Sequence, residues 1–149
     1  NHLTQLCEHL PRLLLEQGMP ANQLTDKIKL IAHALKQVCQ DETGMWILNN
    51  QHTHSQTEFS ITYQQDMHTQ SVVLDRSFQD QGIRWVIDYK TSLPAKNESI
   101  NAFYAREQKT YSDQLAQYAQ AIQHLGEILP IKLGLYFPFC LGWITWNYV

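Results

Sequence analysis

Positive charge is in short supply in this chain. Eleven Lys and Arg stand against 14 Asp and Glu, a formal net charge of −3 over 149 residues. Bulk electrostatics therefore gives no reason to expect a polyphosphate partner, whose usual footprint is a basic excess. Cysteine is as scarce: Cys7, Cys39 and Cys140 are odd in number, far apart and without a C-x-x-C pair. That excludes a closed disulfide framework and a zinc knot, and three thiols are too few for a four-cysteine iron–sulfur cluster. They read as reduced, mostly buried thiols of a cytoplasmic protein. No apolar run approaches the roughly 18–20 residues that span a membrane, and no secretory signal is visible. What is present is an ordinary 44% hydrophobic fraction, enough to build the core of a single domain. The chain opens on Asn1 inside a helical pattern and reads as a fragment of something longer.

Two helices come first. Apolar residues recur at helical spacing over 3–17, interrupted by Pro11, and Gly18-Met19-Pro20 is a stop signal. Leu24, Ile28, Ile31, Leu35 and Val38 predict a second helix over 22–40, with a turn at 41–44. Strand patterns follow at 45–48, 58–63, 71–78 and 83–91, the last two joined by a hairpin turn over 79–82. The strand at 83–91 is apolar on both faces except at Asp88 and Lys90, so it reads as central. Residues 92–105 read as a polar loop. A strong helix over 106–125 and strands at 131–137 and 143–148 complete a mixed α/β domain, with a helical lead-in over 1–43 and the core over 44–149.

One constellation carries chemistry. Side chains alternate along a strand, so Val86, Asp88 and Lys90 share one face and Trp85, Ile87 and Tyr89 the other. A carboxylate and an ammonium thus project side by side from a strand that should be buried, where unpartnered charge is costly. Either the pair neutralises itself or it lines a cleft completed by a metal and a substrate. Asp75 lies on the preceding strand, and the hairpin offsets bring it to the height of Asp88. A bulge would change which way it faces. Two carboxylates beside a lysine suit Mg²⁺, which takes one or two protein carboxylates and keeps several waters. Such an ion polarises a phosphate and acidifies a bound water. The lysine would orient that water or offset charge developing on phosphorus.

The spacing Asp75-x12-Asp88-Tyr89-Lys90 resembles the core of the PD-(D/E)XK nucleases. Ile87-Asp88-Tyr89-Lys90-Thr91 is similar to the I-D-Y-K-T strand of the RecB-like branch, and Gln114-x-x-x-Tyr118 to its Q-x-x-x-Y helix. The segments at 130–138 and 143–146 look like the end of the RecB/AddA-type nuclease domain that follows a UvrD-like, ATP-dependent helicase (the exonuclease V beta-subunit type). The resemblance is closest from Glu58 to Tyr118 and fades before Trp46.

It implies a restriction-endonuclease-like mixed β-sheet flanked by helices, and a Mg²⁺-dependent (or Mn²⁺-dependent) exodeoxyribonuclease of bacterial double-strand-break repair, in the cytoplasm, without an iron–sulfur cluster. Asp75 and Asp88 match the metal-binding acids, the Tyr89 backbone carbonyl a further ligand, and Lys90 the catalytic lysine. Glu58 matches an acidic position near the metal. Gln114, Tyr118 and Tyr111 fall where the site or the DNA backbone would be contacted, and Arg76 is placed either against phosphate or against a neighbouring acid. The implied partners are single-stranded DNA, the helicase of the same chain and a partner subunit. The family's metal-binding histidine, which follows a glycine, has no counterpart in context; the resemblance puts it upstream of Asn1, with His33 as a substitute. The alternative is a scaffold of the same fold that guides DNA or docks subunits without cutting; a free-standing endonuclease is the third reading.

Overall fold

The computed structural model describes residues 10–12 and 14–149. Of the helix expected over 3–17, residues 10–12 and 14–16 are helical, and the remainder lies outside the described residues, as does Cys7. The elements that follow are α1 (Ala21–Val38), α2 (Glu42–Leu48), β1 (Thr53–Gln65), β2 (His68–Asp80), β3 (Ile83–Tyr89), α3 (Ile100–His124), β4 (Ile131–Phe137) and β5 (Gly142–Asn147). The five strands form one mixed sheet in the order β1-β2-β3-β4-β5, antiparallel except where β3 and β4 run parallel. A parallel pair needs a long crossover, and α3 supplies it. β3 is the middle strand, as its two-sided apolar pattern predicts.

Each face of the sheet carries its own core. On one side α3 lays Phe103, Leu115, Ala119 and Ile122 against Leu74, Val86, Leu133 and Leu135. On the other, Val38 and Ile47 from α1 and α2 cover Phe78, Ile87 and Tyr136. Val86 and Ile87 thus serve opposite layers, as strand alternation requires. Trp143 and Trp146 likewise split between the two.

Three expectations need correction. The segment 45–48 is helical, not a strand. Asp41 caps α2 by accepting a hydrogen bond from Gly44 N at 2.8 Å, and the Tyr136 hydroxyl donates to the same Asp41 oxygen at 2.8 Å. Gly44 is no turn glycine: a Cβ there would come within 2.6 Å of the Tyr136 hydroxyl, so its missing side chain lets α2 lie on the sheet. So short a helix is held by its cap and its packing rather than by propensity. The loop over 92–105 is shorter than its polarity suggests, because Ser99 caps α3 through Ala102 N and starts it at Ile100. Cys39 and Cys140 are exposed, not buried.

The β2–β3 turn is also tighter than 79–82. Asp80 pairs with Ile83, leaving Gln81 and Gly82 as a two-residue loop, both at positive φ (49° and 73°). Such loops match the right-handed twist of a hairpin.

Arg76 staples the start of β1 to α2. It is 4% exposed, and its Nε and Nη2 donate to the Ile47 and Asn49 carbonyls, each at 2.8 Å. Its Nη1 donates to Ser55 Oγ at 2.8 Å and Thr57 Oγ1 at 3.2 Å. Burial lowers its pKa, and the neighbouring Tyr89 hydroxyl only partly offsets this. Removing the guanidinium would take its donors away from the Ile47 and Asn49 carbonyls. Arg76→Met is expected to destabilise the chain by roughly 2–4 kcal/mol in urea unfolding.

Candidate active site

The ladder from Asp80↔Ile83 to Arg76↔Ile87 brings Asp75 opposite Asp88 at its next step. Both carboxylates lie on the α3 side of the sheet, beside Tyr118, which feels the charge of each. Asp88 is 2% exposed. Lys90 Nζ sits 2.6 Å from Asp88 Oδ2, 3.4 Å from Gln114 Oε1 and 4.0 Å from the centre of the Tyr111 ring. The Gln114 amide in turn donates to the Tyr118 hydroxyl at 2.6 Å. The two helix residues are one turn apart, so they form a rail along α3 that ends on the lysine. Asp75 has another attachment: its Oδ2 accepts a hydrogen bond from the Tyr89 backbone N at 2.9 Å.

The electrostatics of the pair are unequal. Burial pushes the Asp88 pKa up, contact with Lys90 pulls it part of the way back, and the adjacent Asp75 carboxylate pushes it up again. The net direction is upward. Lys90 is lowered by burial but raised more by Asp88, and its net direction is also upward. Both shifts point the same way because Asp88 is the more deeply buried partner, and there desolvation outweighs the salt bridge.

The donor set suits a hard cation. Asp88 Oδ2 is buried, and its one answer among the described residues is the ion pair with Lys90. Among the described residues no group of three His, Cys, Asp or Glu forms, so the side-chain donors here are two carboxylates. An oxygen-only set of this size fits Mg²⁺, which completes its shell with water and substrate oxygens, and does not fit zinc.

The other candidates fall elsewhere. Arg76 directly follows Asp75 but lies on the opposite layer, with all three guanidinium nitrogens already donating to the protein. Glu58 is exposed and does not join the two aspartates. His33 is exposed on α1 and lines a groove with Pro138 and Cys140, away from them. Gln114, Tyr118 and Tyr111 are all brought in, but onto Lys90 rather than out towards solvent. One buried acid went unnoticed in the sequence. Glu107 is 2% exposed, ion-paired to Arg106, and lies one turn before Tyr111 on the same stripe of α3. Its spacing of four and seven residues from Tyr111 and Gln114 was the available signal.

The sequence matches no protein-family model and no curated protein. No helix among the described residues is long and apolar enough to cross a membrane.

The raised Asp88 pKa has a consequence for stability. The folded chain holds that proton more tightly than the unfolded chain, so the contribution is fully present below the ordinary carboxylate pKa and is lost as pH rises through the folded value. Asp75→Asn keeps an acceptor for the Tyr89 amide and removes the neighbouring charge. At pH 7 without metal the variant is expected to be more stable by about 1 kcal/mol, a few degrees in Tm. The gain should fade as pH falls through the raised Asp88 value, because a protonated Asp88 carries no charge for its neighbour to repel. Thermal melts across pH check it.

Proposed function

We propose that the chain is a Mg²⁺-dependent DNA nuclease domain with the restriction-endonuclease-like fold, of the RecB/AddA type that accompanies a helicase. The observation that carries this reading is the convergence of Asp75, Asp88 and Lys90 on one face of the central hairpin, with Gln114 of α3 closing on the lysine. A metal ion held by the two carboxylates and the Tyr89 carbonyl would supply Lewis-acid activation of a phosphate and of water.

The remaining work belongs to the chain itself. Lys90 is a cation held by three neighbours at the edge of the carboxylates, where negative charge grows on a phosphodiester under attack. Gln114 and Tyr118 fix its direction, so it need not be ordered during the reaction. Tyr111 lies under the ammonium and limits its swing.

The restriction to DNA, to single strands delivered by a motor, to a partner subunit and to a bacterial cytoplasm rests on the sequence resemblance. The scaffold alternative shares this geometry and differs only in turnover.

The deciding experiment is Mg²⁺- or Mn²⁺-dependent cleavage of single-stranded DNA by this chain and by a longer protein that contains it. Asp88→Ala and Lys90→Ala are each expected to lower the rate at least about 100-fold. If neither wild-type protein cuts faster than these variants, the nuclease reading fails and the scaffold stands.

A further inference from the structure

Sheet alternation in the β1–β2 hairpin is disturbed twice, at a register shift between Thr53 and Gln56 and again at Glu58 and Asp75. Thr57 pairs with Arg76 and Phe59 with Leu74, but the residues between them, Glu58 and Asp75, are not ladder partners. The layers exchange across this gap. Phe59 and Leu74 pack into the α3 core, whereas Arg76 bonds Thr57 and the carbonyls of Ile47 and Asn49 on the other side. In an unbroken strand Leu74 and Arg76 would point the same way and Asp75 the opposite way. The backbone that absorbs the change is that of Glu58, at φ +49°. This is a left-handed conformation that costs a side-chain-bearing residue and recurs where a structure needs a strand re-aimed.

The break decides what Asp75 does. Lys90 N donates to Tyr136 O on β4, so by alternation Tyr89 N points the other way, to β2. There it meets the Asp75 carboxylate at 2.9 Å, where a regular ladder would present a main-chain carbonyl. The side chain is thus drawn across the hairpin and held beside Asp88. The Glu58 carboxylate takes no part: it is exposed and forms no hydrogen bond or ion pair with the described residues.

We infer that Glu58 is a positioning residue for the metal site through its left-handed backbone and not through its carboxylate. This rests on reading Asp75 and Asp88 as the metal's ligands. It assigns to position 58 a conformational requirement where the sequence resemblance implies an acidic one.

The two roles separate by substitution. Glu58→Gln removes the charge, Glu58→Gly also relieves the left-handed strain, and Glu58→Val adds a β-branched side chain that resists positive φ. Two measurements are made on each folded variant: hydrogen exchange of the Tyr89 amide without metal, and Mn²⁺ affinity by titration. Gln and Gly are expected to stay within twofold of wild type in both. Val is expected to lose at least tenfold in Tyr89 protection and in Mn²⁺ affinity, with exchange elsewhere in β3 unchanged. The inference is overturned if Glu58→Gln or Glu58→Gly weakens Mn²⁺ as much as Asp88→Ala does, or if Glu58→Val keeps Tyr89 protected. It is also overturned if Glu58→Val fails to fold and Glu58→Gly loses Tyr89 protection. A wild type that binds no Mn²⁺ sinks the metal-site reading, while the exchange data still decide whether position 58 holds Asp75 in place.

Discussion

A carboxylate buried in the middle strand of a sheet is the constraint around which this molecule is arranged. Asp88 sits among apolar neighbours on β3, with α3 over it and β4 beside it. Ionised and alone there it would be strongly unfavourable, so its surroundings are organised to answer it. Lys90 folds back from the end of the strand to reach it. Gln114 and Tyr118 on α3 anchor Lys90, and Lys90 N is tied to β4 through Tyr136 O at 2.9 Å. The answer is incomplete, because Asp75 is brought alongside rather than kept away. Two like charges against one lysine leave the cluster short of positive charge. A fold selected for stability alone would replace such a group with packed hydrophobic side chains at little cost. The retained deficit is the physical argument for a cation.

The second organising feature is the change of layer at Glu58 and Asp75. On β1 the residue before it, Thr57, bonds Arg76 on the α2 side and Phe59 after it packs towards α3; on antiparallel β2 the order is reversed, with Val72 and Leu74 in the α3 core and Arg76 and Phe78 on the α2 side. Arg76 stands immediately on one side of this boundary and Asp75 at it. Their opposite fates follow from that position alone. One becomes a structural staple with its donors consumed by carbonyls, and the other a ligand candidate with one oxygen anchored. Adjacent residues of similar polarity are therefore not interchangeable in role, and a substitution at either is read out differently: as global stability for Arg76, as local geometry for Asp75.

Much of this was legible in the residues. The hydrophobic pattern of β3 marked it as central, the hairpin offsets brought Asp75 level with Asp88, and helical spacing put Gln114 and Tyr118 on one face. These are consequences of strand and helix periods, which sequence carries directly. What was not legible depended on the absence of a side chain or on the main chain. Gly44 looked like a turn because glycine usually marks one, but here it is a contact with Tyr136. Arg76 was placed against phosphate or a neighbouring acid, whereas two of its partners are backbone carbonyls, which no residue type announces. The left-handed Glu58 had no signal at all, since glutamate is not a residue that favours positive φ.

That last point bears on how the site and the fold divide their requirements. A strand residue forced into an unfavourable backbone region is stable only if the surroundings over-determine it. Here they do so from both ends. Phe59, Ile61 and Leu74 are locked into the α3 core on one side of the break, and Arg76 is locked to α2 and the 49–57 segment on the other. With both flanks fixed, the single residue between has no alternative but to turn. The strain at Glu58 is thus generated by two ordinary hydrophobic and hydrogen-bonded anchorages, and its product is the placement of one carboxylate beside another. The placement of the two carboxylates, on this account, is set by the packing and hydrogen bonding on either side of the break.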